Sequence, residues 1–298
     1  MGGGSWTYSA FNDYSTRTRG VSAAKLDSTH YTAQEFYKAS RLKDSLNPKN
    51  ITRECCDSDE HPETLPVILA LDVTGSMGDA AVKVAKRLNT IMTDLYSNPN
   101  IKDIEFCVMG IGDLRYDDAP IQMSQFESDI RIAEQLDDMY FEGGGGGNGF
   151  ESYTAAWYMG LNHCKLDCWN RNKKGIIITL GDELPNPYLP KTYLQRSTGD
   201  SLQADVDTES LYEEVTKKFN VYHLSVNDKS SCYDVYNSRH NLDGAWTELL
   251  GDNYKVVTLD SLDKTITDII LANATNDAVI TTAPSAPFFD PNAEEVTW

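Results

Sequence analysis

Asp72, Thr74 and Ser76 stand at alternating positions directly after a continuous apolar run, Val67-Ile68-Leu69-Ala70-Leu71. One carboxylate and two hydroxyls delivered together at a strand end make an oxygen donor set for a hard divalent cation. Further along, the glycine run Gly143–Gly147, followed by Asn148-Gly149, leads into Glu151-Ser152-Tyr153-Thr154. A third apolar run, Gly175–Leu180, ends at Gly181-Asp182-Glu183. Hydroxyls supply oxygen ligands without adding charge, so a cation bound among them keeps net positive character and accepts a carboxylate from outside.

Parallel strands alternating with helices must position these residues. From Leu65 the pattern reads strand, helix, strand in repetition, which predicts a doubly wound, mostly parallel α/β sheet covered by helices on both faces. Pro66–Leu71 is the first predicted strand. The helix after it buries Ala80, Ala81, Val84, Ala85, Leu88, Ile91, Met92 and Leu95 at three-and-four spacing, and Asn98-Pro99-Asn100 breaks it. Strands follow at Ile104–Ile111, at Ile121–Met123 on the edge, at Gly175–Leu180, at Val221–Val226 and at Tyr254–Leu259. Helices are expected over Phe126–Tyr140, Glu151–Leu166, Thr208–Phe219, Trp246–Leu250 and Ser261–Ala274, the last with Ser261 as N-cap. The segment with Pro185, Pro187 and Pro190 reads as a long loop. In such a sheet ligands bind outside the carboxyl ends of the strands, where Asp72, Glu151-Ser152 and Asp182 all fall.

The organisation is an N-terminal polar extension over residues 1–62, an α/β domain over 63–279 and a C-terminal tail over 280–298. The extension predicts a helix over Tyr31–Leu46, with Phe36, Ala39, Leu42 and Leu46 on one side. The tail carries Pro284, Pro287 and Pro291 without periodicity, and its Phe288, Phe289 and Trp298 suit docking on a partner or on the domain itself.

These motifs resemble the von Willebrand factor A domain with its metal-ion-dependent adhesion site. Asp72-Val73-Thr74-Gly75-Ser76 is similar to the family's D-x-S-x-S, with Thr74 in place of the first serine. The glycine loop resembles the second motif. Aligning Ala155-Ala156 with its helix makes Ser152 the counterpart of the family's threonine, with Glu151 and Thr154 as neighbouring candidates. Thr179-Leu180-Gly181-Asp182 resembles the third motif, usually T-D-G. Its aspartate falls two residues late, and Glu183 competes for the role. The resemblance covers roughly Leu65 to Ala274. It implies a Rossmann-like fold and a metal held by Asp72, Thr74, Ser76, Ser152 and Asp182, which would be Mg²⁺, Mn²⁺ or Ca²⁺. It also implies a partner protein that presents an Asp or Glu to that metal. The Gly-Asp-Glu-x-Pro segment, Gly181–Pro185, looks closer to prokaryotic and phage intracellular members, which are often encoded beside MoxR-type AAA+ ATPases. An adaptor or scaffold role in such an assembly is the implied function.

Composition narrows the partners. The 298 residues carry 26 Lys+Arg against 45 Asp+Glu, a formal charge of −19. That argues against nucleic acid and against an anionic membrane surface. No apolar run is long enough to span a bilayer, and the start, Met1-Gly2-Gly3-Gly4-Ser5-Trp6, has no signal-peptide pattern, so the cytoplasm is the expected compartment. The six cysteines, Cys55, Cys56, Cys107, Cys164, Cys168 and Cys232, form no C-x-x-C and read as free thiols. His163 beside Cys164 and Cys168, and His61 near Cys55 and Cys56, are the only hints of zinc. No nucleophile elbow is present, and no catalytic residue is assigned: the expectation is a binding module, not an enzyme. The enzymatic alternative is a Mg²⁺-dependent phosphohydrolase of the haloacid-dehalogenase type using Asp72, but its D-x-D-x-T motif would need an acid where Thr74 stands. A structural component of an assembly is the third reading.

Overall fold

The structure is a computed structural model, and it describes residues 5–99, 101, 103–144, 149–229 and 231–275. Part of the glycine run, Gly145–Asn148, and the C-terminal tail lie outside the described residues. Six strands form the central sheet: β1 (Thr64–Asp72), β2 (Asp103–Ile111), β3 (Ile121–Met123), β4 (Gly175–Gly181), β5 (Phe219–Val226) and β6 (Tyr254–Val257). Their order is β6-β5-β4-β1-β2-β3, parallel throughout except for the antiparallel edge strand β3. The fold is therefore the expected mixed α/β, mostly parallel sheet flanked by helices.

The central strands read as unbroken apolar runs because both of their faces are covered. Along β1, Val67, Leu69 and Leu71 face one core while Ile68 and Ala70 face the other, as the period of two requires. The first core packs against α2 (Gly78–Tyr96) and α9 (Leu262–Thr275). The second packs against α4 (Ala155–Asn162), α6 (Thr208–Val215) and α8 (Leu242–Leu250). Chain connections leave β1 toward β2 on one side and toward β4 on the other, so the strand order reverses between β1 and β4. Leu71 lies opposite Leu180 there, which puts Asp72 next to the Gly181-Asp182 end of β4. That crevice is where a doubly wound sheet binds ligands.

The N-terminal segment departs from its sequence reading. Tyr31–Leu46 is not one helix: only Ala33–Phe36 is helical, behind a Thr32/Glu35 capping box, and a 3₁₀ turn covers Asp44–Leu46. Phe36 and Tyr37 are both buried, and the Tyr37 hydroxyl donates to Ala81 O at 2.8 Å, which requires the chain to leave the helix at Tyr37. The longer helix is α1 (Tyr8–Arg19), capped by Thr7 and ended by Gly20 at φ 70°. Trp6, Phe11 and Tyr14 bury against α2 and α3 (Arg131–Asp137), so this segment wraps the sheet and completes its first core.

Other boundaries also shift. The helix expected over Phe126–Tyr140 shortens to α3 because Phe106 and Glu127 exchange backbone hydrogen bonds. The helix expected over Glu151–Leu166 spans only α4, since Cys164–Leu166 forms a short strand paired with Arg53–Cys55. The proline-bearing loop holds α5 (Lys191–Thr198), which starts directly after Pro190. Between β5 and α8 lies a further helix, α7 (Tyr233–His240). Ser261 does not cap α9 through its side chain in the contacts seen; its Oγ accepts from Thr258 N at 3.0 Å. Among the described residues, no helix is long and apolar enough to cross a membrane.

Candidate metal centre

Asp72 closes β1 and is 1 % exposed. Its Oδ1 accepts from Thr74 N at 2.8 Å and from Thr74 Oγ1 at 2.5 Å, and its Oδ2 accepts from the Tyr153 hydroxyl at 2.7 Å. Thr74 spends its only proton on Asp72, so its oxygen lone pairs stay available to a cation. Gly75 follows because the second-motif loop lies against it: Gly75 N–H donates to Gly144 O at 2.8 Å, and a Cβ at Gly75 would meet Gly143 O at 3.0 Å.

Ser76 Oγ donates to Asp182 Oδ1 at 3.1 Å, and Cys232 N–H donates to Asp182 Oδ2 at 2.5 Å. The carboxylate that follows β4 thus meets the hydroxyl of the segment that follows β1. Tyr153 ties the two halves together. Its hydroxyl donates to Asp72 and accepts from the backbone N–H groups of Asp182 (3.2 Å) and Glu183 (3.3 Å). The approach needs a glycine at the end of β4, since a Cβ on Gly181 would lie 2.2 Å from Tyr153 Cζ.

The second motif divides its polar groups. Ser152 Oγ accepts from Leu114 N at 3.0 Å, which leaves it a further lone pair. Thr154 Oγ1 accepts from Asn186 Nδ2 at 2.7 Å and is turned to that partner. Glu151 is 1 % exposed, and neither of its carboxylate oxygens has a hydrogen-bond partner in the protein. A buried, unpaired carboxyl is costly as an anion. Burial, then Asp72, Glu183, Asp117 and Asp113, push its proton affinity well above the ordinary carboxylate range.

The neighbouring acids show the same tension. Burial and then Asp182 push Asp72 up to about 7, while burial and then Asp72 and Asp182 push Glu183 up to about 8. Burial also raises Asp182, against the hydrogen bonds from Cys232 and Ser76. Four buried carboxylates therefore share one crevice. A group of this kind holds protons or a cation, and the surrounding hydroxyls are the hard donors that Mg²⁺, Mn²⁺ and Ca²⁺ take. Among the described residues, no three His, Cys, Asp or Glu side chains converge as a preformed cage. A cation here would accordingly draw on Thr74, Ser76 and Ser152 as well as on carboxylates.

Of the residues singled out in sequence, Asp72 and Thr74 form one hydrogen-bonded group and Ser76 and Asp182 another. Asp72 acts on Glu151 and Glu183 through its charge. Tyr153 and Cys232 were not singled out. Tyr153 lies inside the second motif, but its aromatic bulk reads as core, and the Cys232 contact is made by a backbone amide that no side-chain pattern announces. The histidines that hinted at zinc face other partners, His61 Nδ1 lying 3.2 Å from Asp103 Oδ1. His163 faces Ile51 O at 2.8 Å and Asp200 Oδ2 at 2.7 Å, leaving neither ring nitrogen for zinc. His223 is buried, stacks on Trp246 at 3.7 Å between centroids, and is pushed well below its usual range by burial. All six cysteines are free.

Neither a family model nor a curated protein matches the chain. Solved structures similar to it include the pilus adhesin SpaC from Lactobacillus rhamnosus GG in its open conformation (13 % identity, TM-score 0.45, 76 % of this chain and 31 % of that one). Proximal thread matrix protein 1 from the mussel byssus is similar at 11 % identity and TM-score 0.42, over 71 % of this chain and 46 % of that one. The vWF domain of the type V pili tip protein Mfa5 from Porphyromonas gingivalis is similar at 10 % identity and TM-score 0.40, over 73 % of this chain and 98 % of that one. The chain thus spans about a third of the SpaC chain and under half of the byssus protein.

Proposed function

We propose that this chain is a protein-interaction module of the von Willebrand factor A type whose recognition depends on a divalent cation. The observation that carries the reading is Glu151, a carboxylate buried without a partner in the crevice where Asp72, Asp182 and Glu183 already repel one another. Asp72, Thr74, Ser76 and Asp182 would hold the metal, with Ser152 and Glu151 from the second motif and with Glu183 and Thr154 less directly placed. When bound, Mg²⁺, or Mn²⁺ or Ca²⁺, supplies a positive centre for an Asp or Glu side chain of a partner protein. Tyr153 and Thr74 orient Asp72, and Cys232 and Ser76 orient Asp182.

The reading is one of binding rather than catalysis. A phosphohydrolase using Asp72 would need an acid at position 74, and the Thr74 proton is committed to Asp72 itself. An adaptor or scaffold in an intracellular prokaryotic or phage assembly, with a MoxR-type AAA+ ATPase as partner class, is the setting that the motif resemblance implies. Mn²⁺ titration followed by paramagnetic resonance tests the site. Wild-type protein should bind one ion that Mg²⁺ displaces, and Asp72→Ala and Glu151→Gln should weaken it while circular dichroism stays unchanged. Equal Mn²⁺ affinity in folded Asp72→Ala would refute the assignment.

A further inference from the structure

The loop 113–118 has two sides. On one, Leu114 N–H donates to Ser152 Oγ, and Asp113 and Asp117 act on Glu151 in the crevice. On the other, Leu114, Arg115 and Asp117 line a cleft of about 180 Å³ completed by Lys49, Tyr193 and Arg196. The metal crevice and this cleft therefore share the loop as a common wall.

The cleft's charge is out of character for the molecule. In a chain of net charge −19, three cationic side chains gather around it, from the segment before the sheet, from the loop between β2 and β3, and from α5. Arg115 lies over the Tyr193 ring at 5.7 Å and donates to the Tyr188 hydroxyl at 3.3 Å, which fixes the guanidinium at the rim. Lys49 and Arg196 are exposed, and neither has an ion-pair partner among the described residues. Two acids, Asp117 and Asp118, also line the cleft. Asp117 is turned inward, its Oδ2 accepting from Asp113 N at 2.7 Å.

We infer that this cleft is the second contact of the binding module and takes an acidic side chain from the same partner segment that presents its carboxylate to the metal. The inference rests on the proposed metal-dependent reading and adds what the partner must look like: a peptide segment with two acidic residues. The first would be read by the cation in the crevice and the second by Lys49 and Arg196, with Arg115 at the rim. Electrostatic contacts of the second kind choose partners and speed encounter more than they add affinity.

The test is selection of a phage-displayed random dodecapeptide library on the full chain in Mg²⁺, followed by binding measurements on the selected peptides. Peptides with two acidic residues should be enriched. Changing one acid to Gln should abolish binding, as Asp72→Ala and a chelator do. Changing the other should weaken binding roughly tenfold, the scale of two exposed ion pairs. The double variant Lys49→Ala/Arg196→Ala should show the same tenfold loss with the parent peptide and no further loss with the second Gln peptide. Selected peptides with a single acid, or an unchanged affinity in the double variant, would overturn the cleft assignment while leaving the metal reading intact. Selected peptides indifferent to chelator and to Asp72→Ala would overturn the metal reading and the inference with it, as would a library that yields no binder.

Discussion

Without a divalent cation, this protein should lose stability as the pH rises from about 5 to 8. Asp72 is pushed up to about 7 and Glu183 to about 8, both from ordinary values near 4. Between those limits the folded chain holds protons that the unfolded chain has released. Stability then falls with pH, because the slope follows the excess of protons bound in the unfolded state, here negative. The contribution is complete below about pH 4 and is lost as the pH passes through 7 and 8. For Asp72 the displacement from 3.8 to about 7 corresponds to about 4 kcal/mol. Asp72 is part of what raises Glu183, so their effects overlap rather than sum. Against a total stability of about 5–15 kcal/mol that is a large fraction, worth about 10 °C in Tm for a domain of this size. Asp57, Asp129 and Asp200 are lowered and act in the opposite sense, but their contributions vanish only as the pH falls through the acid range, outside this window.

The measurement is the urea midpoint in chelator from pH 5 to 9, repeated in saturating Mg²⁺. A bound cation favours the ionised carboxylates, so Mg²⁺ should stabilise more at pH 8 than at pH 5.5 and flatten the profile. The net charge of −19 adds a general repulsion with the same sign, and Asp72→Asn separates the two. Losing one charge barely alters the general term but should remove the Asp72 share of the slope and part of the Glu183 share, with a cost in stability because the Tyr153 hydroxyl, already accepting two amides, loses its acceptor. A profile in chelator that is flat or rising between pH 5.5 and 8.5, or an unchanged slope in Asp72→Asn, would refute the reasoning.

Two further outcomes follow from single contacts. Tyr153→Phe removes a hydrogen bond to a buried carboxylate, so urea unfolding should show a loss of about 1.5–3 kcal/mol; Mn²⁺ affinity should fall with it, and an unchanged affinity would deny Tyr153 its positioning role. Trp6 is 8 % exposed, packs on Phe11 at 5.3 Å and donates to Asn89, so Trp6→Ala should cost about 3–5 kcal/mol; a loss below about 0.5 kcal/mol would mean that the N-terminal segment adds nothing to the core.

The sheet was legible because its central strands are buried on both faces, and such strands announce themselves as unbroken apolar runs. Asp72 was legible for the same reason: it is the first charge after such a run. The N-terminal segment was less so. Its aromatic residues lie among polar ones, and Phe36 and Tyr37 are adjacent, which fits neither helical nor strand spacing. The structure buries both only by ending the helix between them. Tyr153 and Cys232 were hidden by distance along the chain. Their contacts to Asp72 and Asp182 span 81 and 50 residues, and half of them are made by backbone N–H groups, which carry no sequence signal.

The strand ends that carry Asp72 and Asp182 share one support, the Tyr153 hydroxyl. Gly181 ends β4 without a side chain, which lets the Tyr153 ring pass beneath it and its hydroxyl collect the N–H groups of Asp182 and Glu183. With the backbone held there, Asp182 reaches Ser76. The Tyr153 ring is thus inserted between the ends of β1 and β4, and its hydroxyl is bonded to both. Any change at Asp72 then passes through one hydroxyl to the Asp182 and Glu183 amides, so the two motifs respond together. This linkage is what makes Tyr153→Phe the sharper test of the site: it leaves every proposed donor in place and removes only their common support.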